Sequence, residues 1–559
     1  MRTCTGIDEI FRRFRRQYNV KYAVRRLPRR FLHACGIFRH KRLKSVPYLF
    51  DKACAVCYHL GMKQRIRALT QLPALKLILR FTEGPFFPAA YAVLVLLSSF
   101  FGLEIAFMAV AALLVVFLCV FSRDTKPLLC LVFMTVYAAS WAHTPQPPFS
   151  SDFFNLTWVR VCLLVFGVIV VAAMIFRFVV FPQDRNFFKE SKLRLGIVLM
   201  TAAFLLNGVF SEHYVIKDLP FGLLMALSFF IFYIFFFNTL RTDENTAGYV
   251  AYILVLTSGI IFLQLCKIYI FDGVIKDGSV DKDVIIAGWG MSNNIGGMLG
   301  MFFPACFYLA YRAKKLGWIY YVLAFVFFFG VCLTLSRTSA LVSGVIFVAA
   351  AIWLMVARSP VRRFVRIFNI AAAVCGIVAL IVLWDKVREF FAVFFERGFS
   401  DSGRFFIWQC GIDNFLRAPV FGVGFYEPIS PDWSYNIENW IFPDMYHNIF
   451  IQMLASCGIV GALALCVHLA QVVFAVKKRP DAESLFCIAI LLGMLGMSML
   501  DNHLFHVFPA AAYSVFLLLS EREGESGPLL LLRPLSVKRK DGSGNEAATD
   551  GAAAVSGEK

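Results

Sequence analysis

The amino-acid sequence predicts an all-α fold: a polytopic transmembrane helical bundle of about 12–14 spans with one large outer loop. Of its 559 residues 59% are hydrophobic, 61 are Phe, and the mean hydropathy is +0.70. Soluble domains are roughly half apolar, but they do not gather those residues into runs of about 20. Here such runs recur along most of the chain, and one long polar interval, 385–446, interrupts them near the end.

The net charge of +19 is not that of a nucleic-acid-binding protein, because of where it sits. Much of it precedes residue 85, in Arg12-Arg13-Phe14-Arg15-Arg16, Arg25-Arg26, Arg29-Arg30 and His40-Lys41-Arg42. A basic segment ahead of a first span is a cytoplasmic anchor drawn to anionic lipid. Residues 1–85 are therefore expected as a basic cytoplasmic segment, with the lipid bilayer as partner and no nucleic acid. No short apolar run follows the charged start, so no cleavable signal peptide is expected. Cys54 and Cys57, with His59 nearby, have the spacing of half a zinc site. No second pair follows, and no metal site is expected.

The spans follow in order. Apolar runs place helices near 86–103, 105–121, 128–142, 158–180, 195–211, 219–238, 248–270, 292–311, 317–334, 338–357, 365–384, 447–475, 484–500 and 504–520. One set of connecting loops carries Arg123/Lys126, Arg185/Lys189/Lys192/Arg194, Arg241, Arg312/Lys314/Lys315, Arg358/Arg362/Arg363/Arg366 and Lys477/Lys478/Arg479. The alternate set is sparse in Lys and Arg. Positive loops stay inside, so both termini are cytoplasmic and the 385–446 loop is outside. The transmembrane domain runs from 86 to 520, and 521–559 reads as a disordered cytoplasmic tail.

Three basic or titratable groups stand out on the outer side: Arg337, in Leu335-Ser336-Arg337-Thr338-Ser339, and Arg404 and His447 in or at the end of the long loop. Charges at the apolar boundary are costly unless they serve a polar cavity. Guanidinium groups bind phosphate oxygens in bidentate fashion, and an imidazole takes a proton from a hydroxyl near neutral pH. A lipid-anchored pyrophosphate-sugar would use both. The bland alternatives are a snorkelling Arg337 and a structural His447, with Asn448 as helix cap. Loop carboxylates Asp413, Glu427, Asp432, Glu438 and Asp444 have no metal spacing, and none is assigned a catalytic role. Gly422-Val423-Gly424 is read as a tight turn after Pro419. In Gly288-Trp289-Gly290-Met291-Ser292-Asn293-Asn294-Ile295-Gly296-Gly297, Ser292 or Asn293 is expected to cap a helix whose glycines pack closely. Asp501-Asn502-His503 with His506 forms another outer polar cluster, a candidate for the acceptor side.

Taken in order, Ser292-Asn293-Asn294-Ile295-Gly296, Ser336-Arg337-Thr338, Gly403-Arg404 through Trp408, Pro419-Val420-Phe421-Gly422-Val423-Gly424, and His447-Asn448 through Gly458-Ile459-Val460-Gly461 resemble the O-antigen ligase / O-antigen polymerase superfamily of bacterial membrane glycosyltransferases. The resemblance covers roughly residues 200–500 and leaves out the basic N-terminal segment and the tail. It implies many membrane helices with a large outer loop, in a bacterial inner (plasma) membrane. It also implies transfer of a glycan from an undecaprenyl-pyrophosphate donor to a glycan, lipid or protein acceptor, with no metal or nucleotide cofactor. Arg337 and Arg404 would bind the pyrophosphate and His447 would be the base; Asn294 and Asn448, in the same motifs, are the further substrate-binding candidates. The number of spans exceeds the family's usual one.

Ligase and polymerase share the donor and differ in acceptor, which donor-side motifs do not separate. A transporter or flippase of lipid-linked sugars is the competing reading. It predicts charged groups near mid-membrane and an internal repeat of broken helices. Few mid-span charges and no clear repeat are visible, and the long loop lies on one side only.

Overall fold

The computed structural model describes residues 68–139, 157–385, 403–430 and 445–521, apart from a few single positions and short gaps, together with residues 66, 388 and 443. The chain divides into two units, Met1–Arg65 and Ile66–Lys559, and the described residues lie in the second. The expectations for residues 1–65, for Cys54, Cys57 and His59, for Asp432, Glu438 and Asp444, and for the tail beyond 521 fall outside the described residues.

All fourteen expected runs are helical. After a short α1 (Pro73–Thr82) come α2 (Phe86–Phe101), α3 (Glu104–Phe121), α4 (Lys126–Ala139) and α5 (Thr157–Val180). A single turn, α6 (Phe187–Glu190), leads into α7 (Arg194–Leu205). Next are α8 (Asp218–Ala226) and α9 (Phe232–Thr239), joined through a π-helical turn at Leu227–Ile231, and then α10 (Thr246–Phe271). The second half holds α11 (Ser292–Phe302), α12 (Pro304–Arg312), α13 (Gly317–Leu333), α14 (Arg337–Val356) and α15 (Arg362–Val382). It closes with α16 (Arg404–Arg417), α17 (Ile449–Lys477), α18 (Ala482–Ser498) and α19 (Val507–Ser520). The described strands are two antiparallel hairpins of two residues per strand, pairing Ile275 with Val280 and Ile286 with Met291.

Among the described residues five segments are long and apolar enough to cross a membrane by length and composition: Asp218–Thr239, Thr246–Phe271, Arg337–Val356, Arg362–Val382 and Ile449–Val476. The pair α1–α2, bent by 79°, makes a sixth only if it is taken as one broken span. The other apolar helices are shorter, and several expected spans are interrupted. The run 292–311 breaks at Phe303, where Pro304 lacks the N–H that would continue the ladder. The run 195–211 stops at Leu205, and Leu206–Phe210 turns back.

The core is aromatic. Phe303, Phe307, Tyr321, Phe325, Phe347 and Phe368 form one ring-to-ring chain that ties α11–α12 to α13, α14 and α15. Such rings bury large areas with edge-to-face geometry. At the periphery α15 keeps only 6% of its apolar window buried, and Ile367, Ile370, Val374, Ile377 and Ile381 are exposed. In water such a face would drive association; in lipid it is solvated.

Candidate active site

Three turns and the start of one broken helix meet at one end of the bundle. The first turn joins α13 to α14. Tyr269 donates to the Leu333 carbonyl at 2.5 Å, Leu335 has a positive φ of 57°, and the Ser336 side chain caps α14 by accepting from Ser339 N. Arg337 is thus the first helical residue and stands exposed. The second turn, Asp501–His506, joins α18 to α19.

Helix α11 packs between these two turns through glycines. A methyl group at Gly296 would sit 2.6 Å from Thr334 Oγ1 and 2.9 Å from Ser339 Oγ, and one at Gly297 would overlap the His503 ring. The expected close packing is therefore present, and it joins the Arg337 turn to the His503 turn. The expected cap is not. Met291 precedes the helix with no side-chain cap bond, and Asn293 Oδ1 instead accepts from Lys282 Nζ at 3.0 Å. Asn294 lies half-buried on the first turn, and no hydrogen bond among the described residues engages its side chain.

The third turn leads into α17. His447 adopts φ +54°, one of three non-glycine residues with positive φ among those described. Its Nδ1 lies 3.0 Å from Asp501 Oδ1, with the His447 side chain 40% exposed and that of Asp501 10%. Asn448 behaves as the cap foreseen: its Oδ1 accepts from Phe450 N (2.9 Å) and Ile451 N (3.2 Å), and its Nδ2 donates to the Met499 carbonyl at 3.1 Å. Its side chain therefore holds the turn to the end of α18.

A buried amide extends the cluster. Gln452 Oε1 accepts from Tyr446 N (2.9 Å) and Asn502 Nδ2 (3.0 Å), and its Nε2 donates to Ser456 Oγ (2.8 Å). Asn502 N donates to Asp501 Oδ1 at 2.9 Å, so the carboxylate that meets His447 is fixed from behind. Burial alone would raise the Asp501 carboxyl. The hydrogen bond from His447 and the nearby imidazoles of His503, His447 and His506 outweigh it, and the group sits well below the carboxylate range. Burial pushes the His503 imidazole down, with Asp501 opposing.

Arg404 opens α16, which lies across the start of α17. One turn on, Ile407 packs with Ile429, Tyr446 and Ala455, and Asn414 Nδ2 donates to Tyr446 Oη at 2.8 Å. Arg404 is half-buried, and no ion pair or hydrogen bond among the described residues engages its guanidinium. The structure thus ties His447 directly to Asp501. It gathers the Arg337 turn and the Asn294 helix against the Asp501–His506 turn, and it fixes Arg404 to the same segment through Tyr446. Of the loop carboxylates described, Glu427 pairs with Arg417 at 3.1 Å and Asp413 accepts from Gln409 at 3.0 Å.

The segment Pro419–Gly424 is more than a tight turn. Helix α17 is broken at Gly458 (φ 65°, ψ −159°), and this segment satisfies the backbone groups the break frees. Val423 N donates to Ala455 O (2.8 Å) and Gly424 N to Ser456 O (3.2 Å), while Ile459 N donates to Pro419 O (2.8 Å) and Val460 N to Val420 O (3.3 Å). Fully buried Asp218 anchors the far end by accepting from Phe425 N (2.6 Å) and Tyr426 N (2.9 Å).

Residues 322–466 match the family model described as O-Antigen ligase. That stretch of the chain is similar to the O-antigen ligase family. The O-antigen ligase match runs from within α13 to within α17, and so contains Arg337, Arg404 and His447. Asn294 and Asp501 lie outside it. No curated protein matches the chain. Sequence reading overlooked Gln452, Asn414 and Asp218 and gave Asp501 a different role. Their signal is weak, because a lone amide or carboxylate in or beside an apolar run gains meaning only from its neighbours in space.

Proposed function

We propose that this ligase-like cell-envelope glycosyltransferase moves a glycan from an undecaprenyl-pyrophosphate carrier to an acceptor hydroxyl, with His447 as the base. The observation that carries this reading is the 3.0 Å contact of His447 Nδ1 with Asp501 Oδ1 on a partly exposed imidazole. A carboxylate at Nδ1 keeps the proton on that nitrogen and leaves Nε2 as acceptor. Nε2 takes the hydroxyl proton as the acceptor oxygen bonds to the anomeric carbon. The bond from that carbon to the diphosphate oxygen breaks, and its electron pair leaves with the diphosphate. Asp501 stabilises the imidazolium that results. Arg337 and Arg404 bind the departing diphosphate oxygens through their guanidinium groups. This route uses no metal or nucleotide. Asn294, with its side chain unengaged among the described residues, is assigned to the sugar, whereas Asn448 acts by holding His447 in place. The site faces outward from a bacterial inner membrane, with both termini cytoplasmic.

A flippase would use discontinuous helices whose loose backbone groups coordinate cargo. Helix α17 is discontinuous, but the amides and carbonyls at its break bond to Pro419–Gly424, which favours transfer over transport.

The test is surface-glycan profiling of a deletion strain complemented with wild type, His447→Ala, Arg337→Ala or Arg404→Ala at matched expression. The variants are expected to accumulate carrier-linked glycan and lose finished polymer. Long chains on the carrier identify a ligase, single repeats a polymerase. Full complementation by all three variants overturns the assignment.

A further inference from the structure

The opposite end of α14 carries a patch of a different kind. Helix α14 has 20 residues, so its far end lies about 30 Å from Arg337 at 1.5 Å per residue. There the α14–α15 connection brings Arg358, Arg362, Arg363 and Arg366 beside the α12–α13 connection with Lys314 and Lys315. The two connections touch: a methyl group at Gly317 would overlap the Val361 side chain. Arg362 Nε and Arg366 Nε both donate to the Met355 carbonyl, at 3.1 and 3.0 Å, so two guanidinium groups converge on one helix C-terminus. No other hydrogen bond or ion pair among the described residues engages either. In the same connection the Ser359 hydroxyl is buried without a partner among those residues.

A bias for Lys and Arg on the inner face accounts for cations there, but not for the lack of any ion pair to these six among the described residues. Cations on other connections at this end are paired. Lys126 pairs with Asp243 at 2.6 Å and with Asp124 at 3.6 Å, and Arg185 with Glu190 at 3.8 Å. In contrast, the sequence has no Asp or Glu at all between Asp283 and Asp385. Uncompensated like charges this close repel one another unless an anion sits among them. The neighbouring surface is apolar and interfacial: Trp318 packs on Phe364 at 6.1 Å, and Ile367 and Ile370 are exposed on α15.

We propose that this patch binds the phosphate headgroup of an anionic membrane phospholipid whose acyl chains lie along α15. Fixed arginines recognise phosphate oxygens bidentately, and basic pockets between helices hold acidic headgroups. The exposed apolar face beside the cations selects a lipid over a soluble anion.

The test measures lipid binding to the purified full-length protein in non-ionic detergent by native mass spectrometry, titrating phosphatidylglycerol or phosphatidylcholine. Wild type is expected to bind phosphatidylglycerol preferentially. Each cation near such a surface is worth about a factor of five, so Arg358→Gln/Arg362→Gln/Arg363→Gln should lose roughly a hundredfold and Lys314→Gln/Lys315→Gln roughly twentyfold. Lys189→Gln, on another connection, should bind as wild type. The lysine variant removes no described hydrogen bond and decides the matter if the arginine variant does not fold. Equal binding of the two lipids, retention of the preference in the lysine variant, or displacement of the lipid by equimolar inorganic phosphate overturns the proposal.

Discussion

At the scale of single residues, the proposed site depends on the groups that hold His447 as well as on His447 itself. A histidine with positive φ is strained unless its surroundings fix it, and strain of this kind concentrates at functional positions. Here Asn448 ties the turn to Met499, and Gln452 holds both the Tyr446 amide and Asn502. Asp501 sets the tautomer. Asp501→Asn keeps the shape but no longer favours the proton on Nδ1. The transfer rate should fall by roughly 10²–10⁴-fold, the usual contribution of a positioned base, while donor binding stays near wild type. Single-turnover transfer with separately measured donor affinity checks this. A parallel loss of affinity would instead make Asp501 a donor ligand.

At the scale of elements, the broken α17 and the segment 418–426 act as one unit. A break within a membrane helix leaves amides and carbonyls that lipid cannot satisfy. Four hydrogen bonds from Pro419–Gly424 answer that demand and in doing so lock the loop to the helix. Gly458 has a φ/ψ pair essentially reserved for glycine, and a Cβ there would overlap the Val420 carbonyl. Gly458→Ala should cost about 3 kcal/mol or more and detach the loop. Thermal unfolding in detergent and limited proteolysis near 418–426 measure it. Wild-type stability with an uncut loop would mean the unit is not cooperative.

At the scale of the whole molecule, the helices differ in what surrounds them. α15 is almost wholly exposed, while the turn at Asp501–His506 is sealed among α11, α17 and α19. Burial makes that turn sensitive to acid. His503 has its imidazole pushed below the ordinary 6.5. For a base lowered on folding, the unfolded chain binds more protons as pH falls. Its contribution to stability is therefore complete above 6.5 and declines as pH drops through that value. Asp501, lowered from 3.8, contributes fully above that value and loses its contribution only in stronger acid. Burial pushes the neighbouring His506 imidazole down to about 4, which adds to the same decline; unfolding temperature should thus fall between about pH 7 and about pH 5, and His503→Asn should make the decline shallower. A flat profile in wild type would dismiss His503 as the sensor.

Hydropathy alone located the fourteen apolar runs, though not α1, α6 or α16, because burying an apolar stretch in lipid is a local property of the stretch. The motifs around Arg337, Arg404 and His447 were legible too, since charge beside an apolar run is conspicuous. What the sequence could not decide was partnership. Asp501 stands 54 positions after His447, and Gly297 meets His503 some 200 residues later. Ala-Pro-Val-Phe-Gly-Val-Gly reads as a turn until Gly458, 34 positions on from Gly424, exposes the backbone it must pair with. The cap of α11 was likewise misplaced: Ser292 and Asn293 have the right chemistry, but Lys282 claims Asn293. Composition fixes which segments leave water; only packing determines which buried polar groups find one another, because each must be satisfied by whatever the fold brings within about 3 Å.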